Sequence, residues 1–302
     1  MPRVSVILPT FNRAQELDES IKSVLNQTFI DFELLIVDDG STDNTQEVIN
    51  KYLQDKRVKS YWQTNSGASI ARNLGLTKSN FEFIAFQDSD DIWREDRLEK
   101  QISIMDDNPE CGFVYSDMQR VLQNGKEFYL EVPVVDSNEV INPKTSDFQV
   151  IGIGMQTILV RKAIVDQVGE FDPEFPRFID LEWFIRIAKI TKFIKVKEAL
   201  VRYYQMPGIS SDPRKAATAR ILLLNKYKDD IYRKKSYVSL QLSKIALAYW
   251  RAGDMHDAYD FAKRSFVLNP FSIKQNLKLL IIFVFSPKIK KIVPEFITNK
   301  YW

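Results

Sequence analysis

Three carboxylates fall within four positions directly after an apolar run. The run covers residues 81–86, and Asp88, Asp90 and Asp91 follow it. Carboxylates this close repel one another unless a cation lies among them. Ligands that are all oxygen suit a hard cation such as Mg²⁺ or Mn²⁺ rather than zinc. Because such a cation commonly holds phosphate oxygens, the pattern predicts a site for a nucleotide or its diphosphate conjugate.

Two more polar clusters follow apolar runs in the first 90 residues. Residues 9–13 come after the run 4–8, and residues 38–41 come after the run 34–37. Helical spacing of apolar residues separates the runs, which is typical of a mostly parallel sheet with helices on both faces. In such sheets ligands bind beyond the carboxyl ends of the strands. We therefore expect all three clusters at one edge of the sheet.

Composition narrows the possible functions. The chain has 302 residues and a net charge of +2, so no global basic field favours a nucleic-acid partner. One Cys and one His argue against a disulfide framework and against a zinc site. The N-terminal residues lack the pattern of a signal peptide, and the longest apolar run, 279–285, is far short of the ~18 to 20 residues that span a bilayer. We expect a cytoplasmic protein, free or peripheral on the inner membrane face.

The C-terminal third has a different pattern. A linker rich in helix-breaking residues, 206–213, separates a domain at 1–205 from a helical region at 206–302. Within that region, 246–270 has the spacing of one tetratricopeptide-like helix pair, which would pack on the main domain, on a protein partner or on a second copy. Residues 277–291 combine an apolar run with lysines, which fits either a peripheral membrane contact or a buried terminal helix.

Four motifs in order carry a family resemblance. Residues 4–13, 37–43, 65–75 and 88–91 resemble glycosyltransferase family 2, whose members are inverting enzymes with the GT-A fold. The resemblance covers about 1–205. It implies a nucleotide-sugar site, an Mn²⁺ or Mg²⁺ ion on Asp90, and Asp180 as the catalytic base. The donor-binding residues that it implies are Pro9, Thr10, Phe11, Arg13, Asp39, Arg72, Asp88 and Ser89.

Each assignment has a structural alternative. Asp38, Asp39 or Asp180 would also suit a helix N-cap, and Arg72 a solvated helix face. Residues 88–91 would suit an acidic turn that opens a helix at Trp93, a role that fits Asp91 best. Glu182 is a rival to Asp180, although two residues along a helix it would point elsewhere.

The chain also departs from the family at two positions. Ile179 replaces the usual Glu before the base, and Tyr204 stands where a His often helps to hold the metal. The single His256 lies in the helical tail, where we expect a surface or packing role.

The resemblance implies transfer of a sugar from a nucleoside-diphosphate donor to a hydroxyl of a glycan or lipid-linked acceptor, in the synthesis of cell-surface polysaccharide. An Asp at position 39 favours a UDP donor, since a carboxylate can accept the imide N–H of uracil. Two alternatives remain. A sugar nucleotidyltransferase would normally have a Gly-rich loop after the first strand, and residues 9–13 contain no Gly. A non-catalytic nucleotide-sugar-binding module would recruit partners through its helical tail.

Overall fold

The computed structural model describes residues 3–135, 139–204 and 212–284. The strands in these ranges are β1 (Val4–Thr10), β2 (Phe32–Asp38), β3 (Val58–Trp62), β4 (Phe83–Phe86), β5 (Ile92–Trp93), β6 (Cys111–Val121), β7 (Glu127–Leu130), β8 (Leu159–Arg161) and β9 (Lys192–Tyr204). The helices are α1 (Leu17–Leu25), α2 (Thr45–Asn50), α3 (Ala68–Lys78), α4 (Arg97–Asp107), α5 (Lys162–Val168), α6 (Ile179–Ala188), α7 (Pro213–Lys226), α8 (Lys228–Ile231), α9 (Lys235–Ala252), α10 (Met255–Leu268) and α11 (Ile273–Val284).

One sheet contains all of these strands, in the order β3-β2-β1-β4-β8-β6-β9-β5, with β7 paired to β6. The four strands β3, β2, β1 and β4 are mutually parallel, and β6 and β9 are also parallel. Strand β8 runs antiparallel to both β4 and β6 and joins these two groups. Continuous apolar runs such as Leu34–Val37 are buried in the centre, as strands covered on both faces require. The predicted mostly parallel α/β sheet is confirmed.

The structure corrects two local predictions. No helix begins at Trp93: the short strand β5 follows Asp91, and α4 begins only at Arg97. The pairing of β5 with the distant strand β9 explains the difference, because a pairing 110 residues away leaves no local pattern. The spacing of Val48, Ile49, Tyr52 and Leu53 also predicts one face of a helix, but α2 ends at Asn50 and Leu53 is exposed rather than packed.

Helix α3 lies so close to β1 that one glycine is required at the contact. A Cβ on Gly75 would lie 2.4 Å from Cγ2 of Ile7, which is fully buried in the core. We therefore expect Gly75→Ala to lower the free energy of unfolding by about 1 to 3 kcal/mol, the usual cost of overpacking. Urea unfolding measures this. In an Ile7→Ala background the same substitution should cost much less, because the two γ carbons of Ile7 are removed and only the Cβ, at 3.3 Å, remains close. An unchanged cost there would contradict the steric explanation.

The chain divides into two compact units. The first comprises residues 1–139, 149–174 and 179–207, and the second comprises 140–148, 175–178 and 208–302. The second unit thus takes two short segments from within the first 205 residues, a discontinuity that no sequence pattern indicated. Most of the predicted linker lies outside the described residues. Among the described residues, no helix has the length and apolar character needed to cross a bilayer.

Two helices of the second unit overlap residues 246–270. Helices α9 and α10 are joined by Gly253 and Asp254, and Gly253 adopts the left-handed conformation that ends a helix. Ala246, Ala258 and Ala262 are fully buried between them. Small residues at these positions let the two helices approach closely.

An ionic cluster ties residues 140–148 to this helical unit. The carboxylate of Asp147 pairs with Lys244 and accepts a hydrogen bond from Gln241 Nε2 at 3.1 Å. Gln241 also accepts a hydrogen bond from Arg220 at 3.0 Å. Burial lowers the pKa of Lys244 to about 8, which shows how strongly the cluster is withdrawn from water.

Candidate active site

The loops after β1 and β2 meet at the carboxyl edge of the sheet. Thr10 lies opposite Asp38 in the parallel register, and the N–H of Asp39 donates to the carbonyl of Thr10 at 2.9 Å. Asn12 adopts a positive φ of 52°, and its side chain accepts a hydrogen bond from Thr42 N at 2.8 Å. The buried hydroxyl oxygen of Thr10 has no hydrogen-bond partner within the described part of the chain. It therefore offers a polar group to a ligand at this edge.

The two other predicted residues of the first loop flank Thr10 in different environments. Pro9 is part of β1 and lies opposite Val37, so its side chain is fixed by the sheet. Phe11 follows the strand and is 39% exposed, although it is a large apolar side chain. An exposed ring beside the polar groups of this edge suits stacking against a planar base.

Asp39 is buried and heavily hydrogen-bonded. Its Oδ1 accepts from Gln63 Nε2 at 2.6 Å and from Ser66 N at 2.9 Å, and its Oδ2 accepts from Gly67 N at 2.8 Å. These bonds fix the loop that leads into α3. A carboxylate offers about four acceptor positions, so one remains for a ligand donor such as an imide N–H. Asp38 instead closes a turn by accepting from Ser41 N at 2.9 Å, in agreement with its expected structural role.

Two arginines approach the acidic cluster after β4. Arg72 on α3 donates to Asp88 Oδ1 at 2.8 Å, and Arg13 lies 3.5 Å from Asp90 Oδ2. Burial raises the pKa of the Asp90 carboxyl, and the negative charge of Asp88 adds to the increase. Asp88 thus has a close cationic partner, whereas Asp90 has only a looser one. Ser89 between them is buried.

Asp91 holds the end of β9 in place instead of starting a helix. Its Oδ1 accepts the backbone N–H of Tyr204 at 3.0 Å, and its side chain is buried. Burial raises the pKa of the neighbouring Tyr203 phenol, and the charge of Asp91 raises it further. Sequence reasoning singled out Tyr204 at the position of the family His. The structure places Tyr203 in the field of the acidic cluster as well, and only the β9 pairing could have indicated this.

The donor set around Asp90 fits a hard cation that brings other ligands with it. Within the described ranges, no three His, Cys, Asp or Glu side chains cluster so as to hold a metal ion. His256, far along the sequence on α10, is 98% exposed and so has the predicted surface position. Asp90 would supply one oxygen, while diphosphate oxygens and water would complete the coordination, as Mg²⁺ and Mn²⁺ sites allow.

Asp180 lies in the first turn of α6. Its Oδ1 accepts the N–H of Leu181 at 2.8 Å, so it does stabilise the helix start. Burial raises the pKa of the Asp180 carboxyl, with a smaller increase from the charge of Asp88 and an opposing effect of Arg72. Asp180 is therefore within electrostatic range of Arg72 and Asp88. Its rival Glu182 is fully buried and held by the Arg186 guanidinium at 2.9 Å.

Helices α3 and α6 are fixed relative to each other by residues that no motif identified. Asn73, next to Arg72, donates to the carbonyl of Phe171 and accepts its N–H, both at 2.9 Å. The Phe171 ring packs on Trp183 of α6 with ring centroids 4.5 Å apart. Trp183 in turn contacts Phe86 at the end of β4. This aromatic layer sets the positions of Asp88 and Asp180.

Similarity to known proteins identifies the family of the chain. The profile of glycosyl transferase family 2 matches residues 5–156, half of the chain. The chain belongs to glycosyl transferase family 2. A family relative is the Escherichia coli UDP-Glc:alpha-D-GlcNAc-diphosphoundecaprenol beta-1,3-glucosyltransferase WfgD, 41% identical over 122 residues, which cover 40% of this chain and 47% of WfgD. This family 2 chain spans half or less of the length of the first five curated relatives it matches, from 18% to 50%.

Solved structures show that this family 2 chain has the GT-A fold. S. aureus TarS in complex with UDP-GlcNAc superposes with a TM-score of 0.63 at 20% identity, over 93% of this chain and 90% of TarS. The mannosyltransferase PcManGT from Pyrobaculum calidifontis, in complex with GDP-Man and Mn²⁺, gives 0.59 at 16% identity, over 94% and 86% of the two chains. The predicted fold class and family resemblance are confirmed.

Proposed function

We propose that the protein is a metal-dependent inverting glycosyltransferase that uses a UDP-sugar donor and a hydroxyl of a glycan or lipid-linked acceptor. The observation that carries the proposal is the meeting of three clusters at one sheet edge. Arg13 approaches Asp90 at 3.5 Å, Arg72 binds Asp88 at 2.8 Å, and the same Arg72 and Asp88 influence Asp180. Two arginines for a diphosphate, a carboxylate for a cation and a carboxylate for a proton are what glycosyl transfer from a nucleotide sugar requires.

Each residue of the site has a separate role in the proposed reaction. Arg13 and Arg72 bind diphosphate oxygens and hold the donor, and Asp39 accepts the imide N–H of the base. Asp180 takes the proton of the acceptor hydroxyl at its carboxylate as that oxygen attacks the anomeric carbon. A raised pKa suits this role, since a stronger base removes the proton more readily. A divalent cation on Asp90 would neutralise charge on the leaving diphosphate.

Inversion follows from the number of carboxylates in the proposed mechanism. Retention would need a second carboxylate as nucleophile on the opposite side of the sugar. Glu182, the nearest rival in sequence, is engaged with Arg186 and fully buried. A single displacement by the acceptor oxygen is therefore proposed, so an α-linked donor would give a β-glycoside.

Known proteins support the choice of donor, acceptor and cation. TarS is a structural neighbour that binds UDP-GlcNAc, and PcManGT binds GDP-Man with Mn²⁺. WfgD is named for glucosyl transfer from UDP-Glc to a diphosphoundecaprenol-linked sugar. The single acceptor position left on Asp39 favours uracil over bases that lack an imide N–H in that place. We propose a role in the synthesis of cell-surface polysaccharide on this basis.

A donor screen tests the proposal. The full chain is mixed with UDP-, GDP- and CDP-sugars, each with and without Mn²⁺, and thermal unfolding is followed. We expect the largest rise in Tm with a UDP-sugar and Mn²⁺. At a ligand concentration 100 times Kd, binding to the folded state should raise the free energy of unfolding by about 2.7 kcal/mol. Slow donor hydrolysis should release UDP. Release of pyrophosphate would instead identify a nucleotidyltransferase, and tight binding without any turnover would identify a non-catalytic module.

A further inference from the structure

Helix α11 has two apolar stripes, of which only one is buried in the described structure. Leu279 and Ile282 are buried against a core that includes Ala246 and Ala262 of the preceding helix pair. On another side of α11, Ile273, Leu277 and Leu280 follow the i, i+4, i+7 spacing of one helix face and remain exposed. Packing within the helical unit therefore accounts for Leu279 and Ile282 but leaves Ile273, Leu277 and Leu280 without burial.

Three further exposed apolar residues lie at the end of α10 and in the turn between the two helices. We call the combined surface the apolar face. Its six members and their exposed fractions are Phe271 91%, Ile273 75%, Val267 68%, Leu277 58%, Leu280 49% and Phe266 45%. Scattered exposed apolar residues are ordinary, but large ones grouped on consecutive elements mark an interaction surface.

Basic residues predominate around the apolar face, although Asp260 on α10 is also present and lies 3.5 Å from Arg264. From residue 261 to residue 294 the sequence contains seven Lys or Arg and no Asp or Glu. Lys263 and Arg264 lie on α10, and Lys274 and Lys278 are exposed on α11. The other three, at 288, 290 and 291, lie outside the described residues. The whole chain has a net charge of only +2, so this segment is strongly basic against a nearly neutral background.

We propose that the apolar face docks on an anionic phospholipid bilayer. Large apolar side chains flanked by lysines match the boundary between headgroups and acyl chains, where rings and aliphatic side chains insert and lysines remain among phosphates. The same helix keeps its other stripe in the protein core, so α11 lies along the surface and does not cross it. This goes beyond the proposed glycosyl transfer, and it would hold the enzyme where lipid-linked acceptors are found.

Vesicle flotation of the full chain tests the docking directly. We expect co-flotation with vesicles of phosphatidylcholine and phosphatidylglycerol, little with phosphatidylcholine alone, and a loss at high salt. Phe271→Ser/Leu277→Ser should weaken binding about tenfold or more, because each side chain loses its burial in the bilayer. Phe128→Ser/Leu130→Ser, on the exposed strand β7, is the matched control and should float as the wild type does.

Charge is tested separately. Lys274→Glu/Lys278→Glu should abolish the preference for anionic vesicles, while Lys56→Glu/Lys126→Glu, which makes the same change of charge at exposed sites elsewhere, should retain it. Equal flotation of all four variants and the wild type, or no flotation of the wild type, would overturn the proposal.

A fluorescent probe distinguishes a bilayer from other occupants of the face. Phe271→Cys can be labelled selectively, because the single native cysteine, Cys111, is buried. The emission of a polarity-sensitive dye at this position should be that of an aqueous environment in buffer. The emission maximum should shift to the blue when anionic vesicles are added. A blue emission already present in buffer and unchanged by vesicles would mean that residues 285–302 or a second copy cover the face, and the proposal would be wrong. UDP-sugar binding is measured on the same variant. If the donor binds but the dye does not respond to vesicles, the membrane proposal fails while the proposed donor binding stands.

Discussion

Asp180→Asn should lower kcat for sugar transfer by about 10²- to 10⁴-fold, the usual contribution of a general base. Asn has nearly the same shape and can still accept the N–H of Leu181, which now lies 2.8 Å from Asp180 Oδ1. The start of α6 should therefore remain intact, and UDP affinity, set by residues of the other loops, should change little. Steady-state kinetics and calorimetric UDP titration measure the two effects on the same sample.

The pH dependence of the wild type adds a second readout to this prediction. The base acts in its ionised form, so kcat/KM should fall as the pH drops through the pKa of Asp180. Burial raises that pKa, so the decline should begin at a higher pH than for an ordinary Asp. The decline should be absent in the residual activity of Asp180→Asn. Asp166→Asn, which removes a carboxylate from an exposed ion pair on α5, is the control and should retain the wild-type rate and profile. Wild-type turnover in Asp180→Asn would exclude it as the base.

The parallel part of the fold could be predicted because its signals are local. The apolar runs 4–8 and 34–37 lie within β1 and β2, as the sequence predicts. The edge that gathers Thr10, Asp39 and Asp88 also follows from local patterns, since parallel strands must end on the same side. The parallel direction of the strands was therefore enough to predict that these three residues share one edge.

The remaining features depend on contacts between distant parts of the chain. The turn at Asp91 has the sequence of a helix start, yet pairing of β5 with β9 and the bond to Tyr204 determine its conformation. Asn73 carries no recognisable signal, although it joins α3 to the segment before α6. The hydrogen-bond partners of Asp39 lie 24 to 28 residues further along the chain, so no local sequence pattern indicates them. Sequence patterns thus indicated the candidate carboxylates but not the residues that hydrogen-bond to them.

Asp90→Ala should remove the dependence of donor binding on Mn²⁺. Asp88 is already paired with Arg72 at 2.8 Å, whereas Asp90 has only the 3.5 Å approach of Arg13, so Asp90 has the greater capacity to take a cation. Its raised pKa also shows that its negative charge lacks compensation, which a divalent cation would supply. Removing even an outer-shell partner lowers the affinity of a metal site about 10- to 100-fold. Removing Asp90, the one proposed protein ligand, should therefore lower the affinity for Mn²⁺ by at least about 100-fold. Calorimetric titration of UDP with and without Mn²⁺ measures this.

Comparison with two neighbouring variants makes the assignment specific. Asp91→Asn keeps an acceptor for the Tyr204 N–H and leaves Asp90 in place, so it should retain the Mn²⁺ dependence. Asp88→Asn weakens the pair with Arg72 and should reduce UDP affinity in the presence and the absence of Mn²⁺ alike. If Asp88→Asn instead abolished the Mn²⁺ effect while Asp90→Ala retained it, the cation would belong on Asp88. Arg13 would then remain the partner of Asp90, because its guanidinium is the cation that already lies closest to that carboxylate.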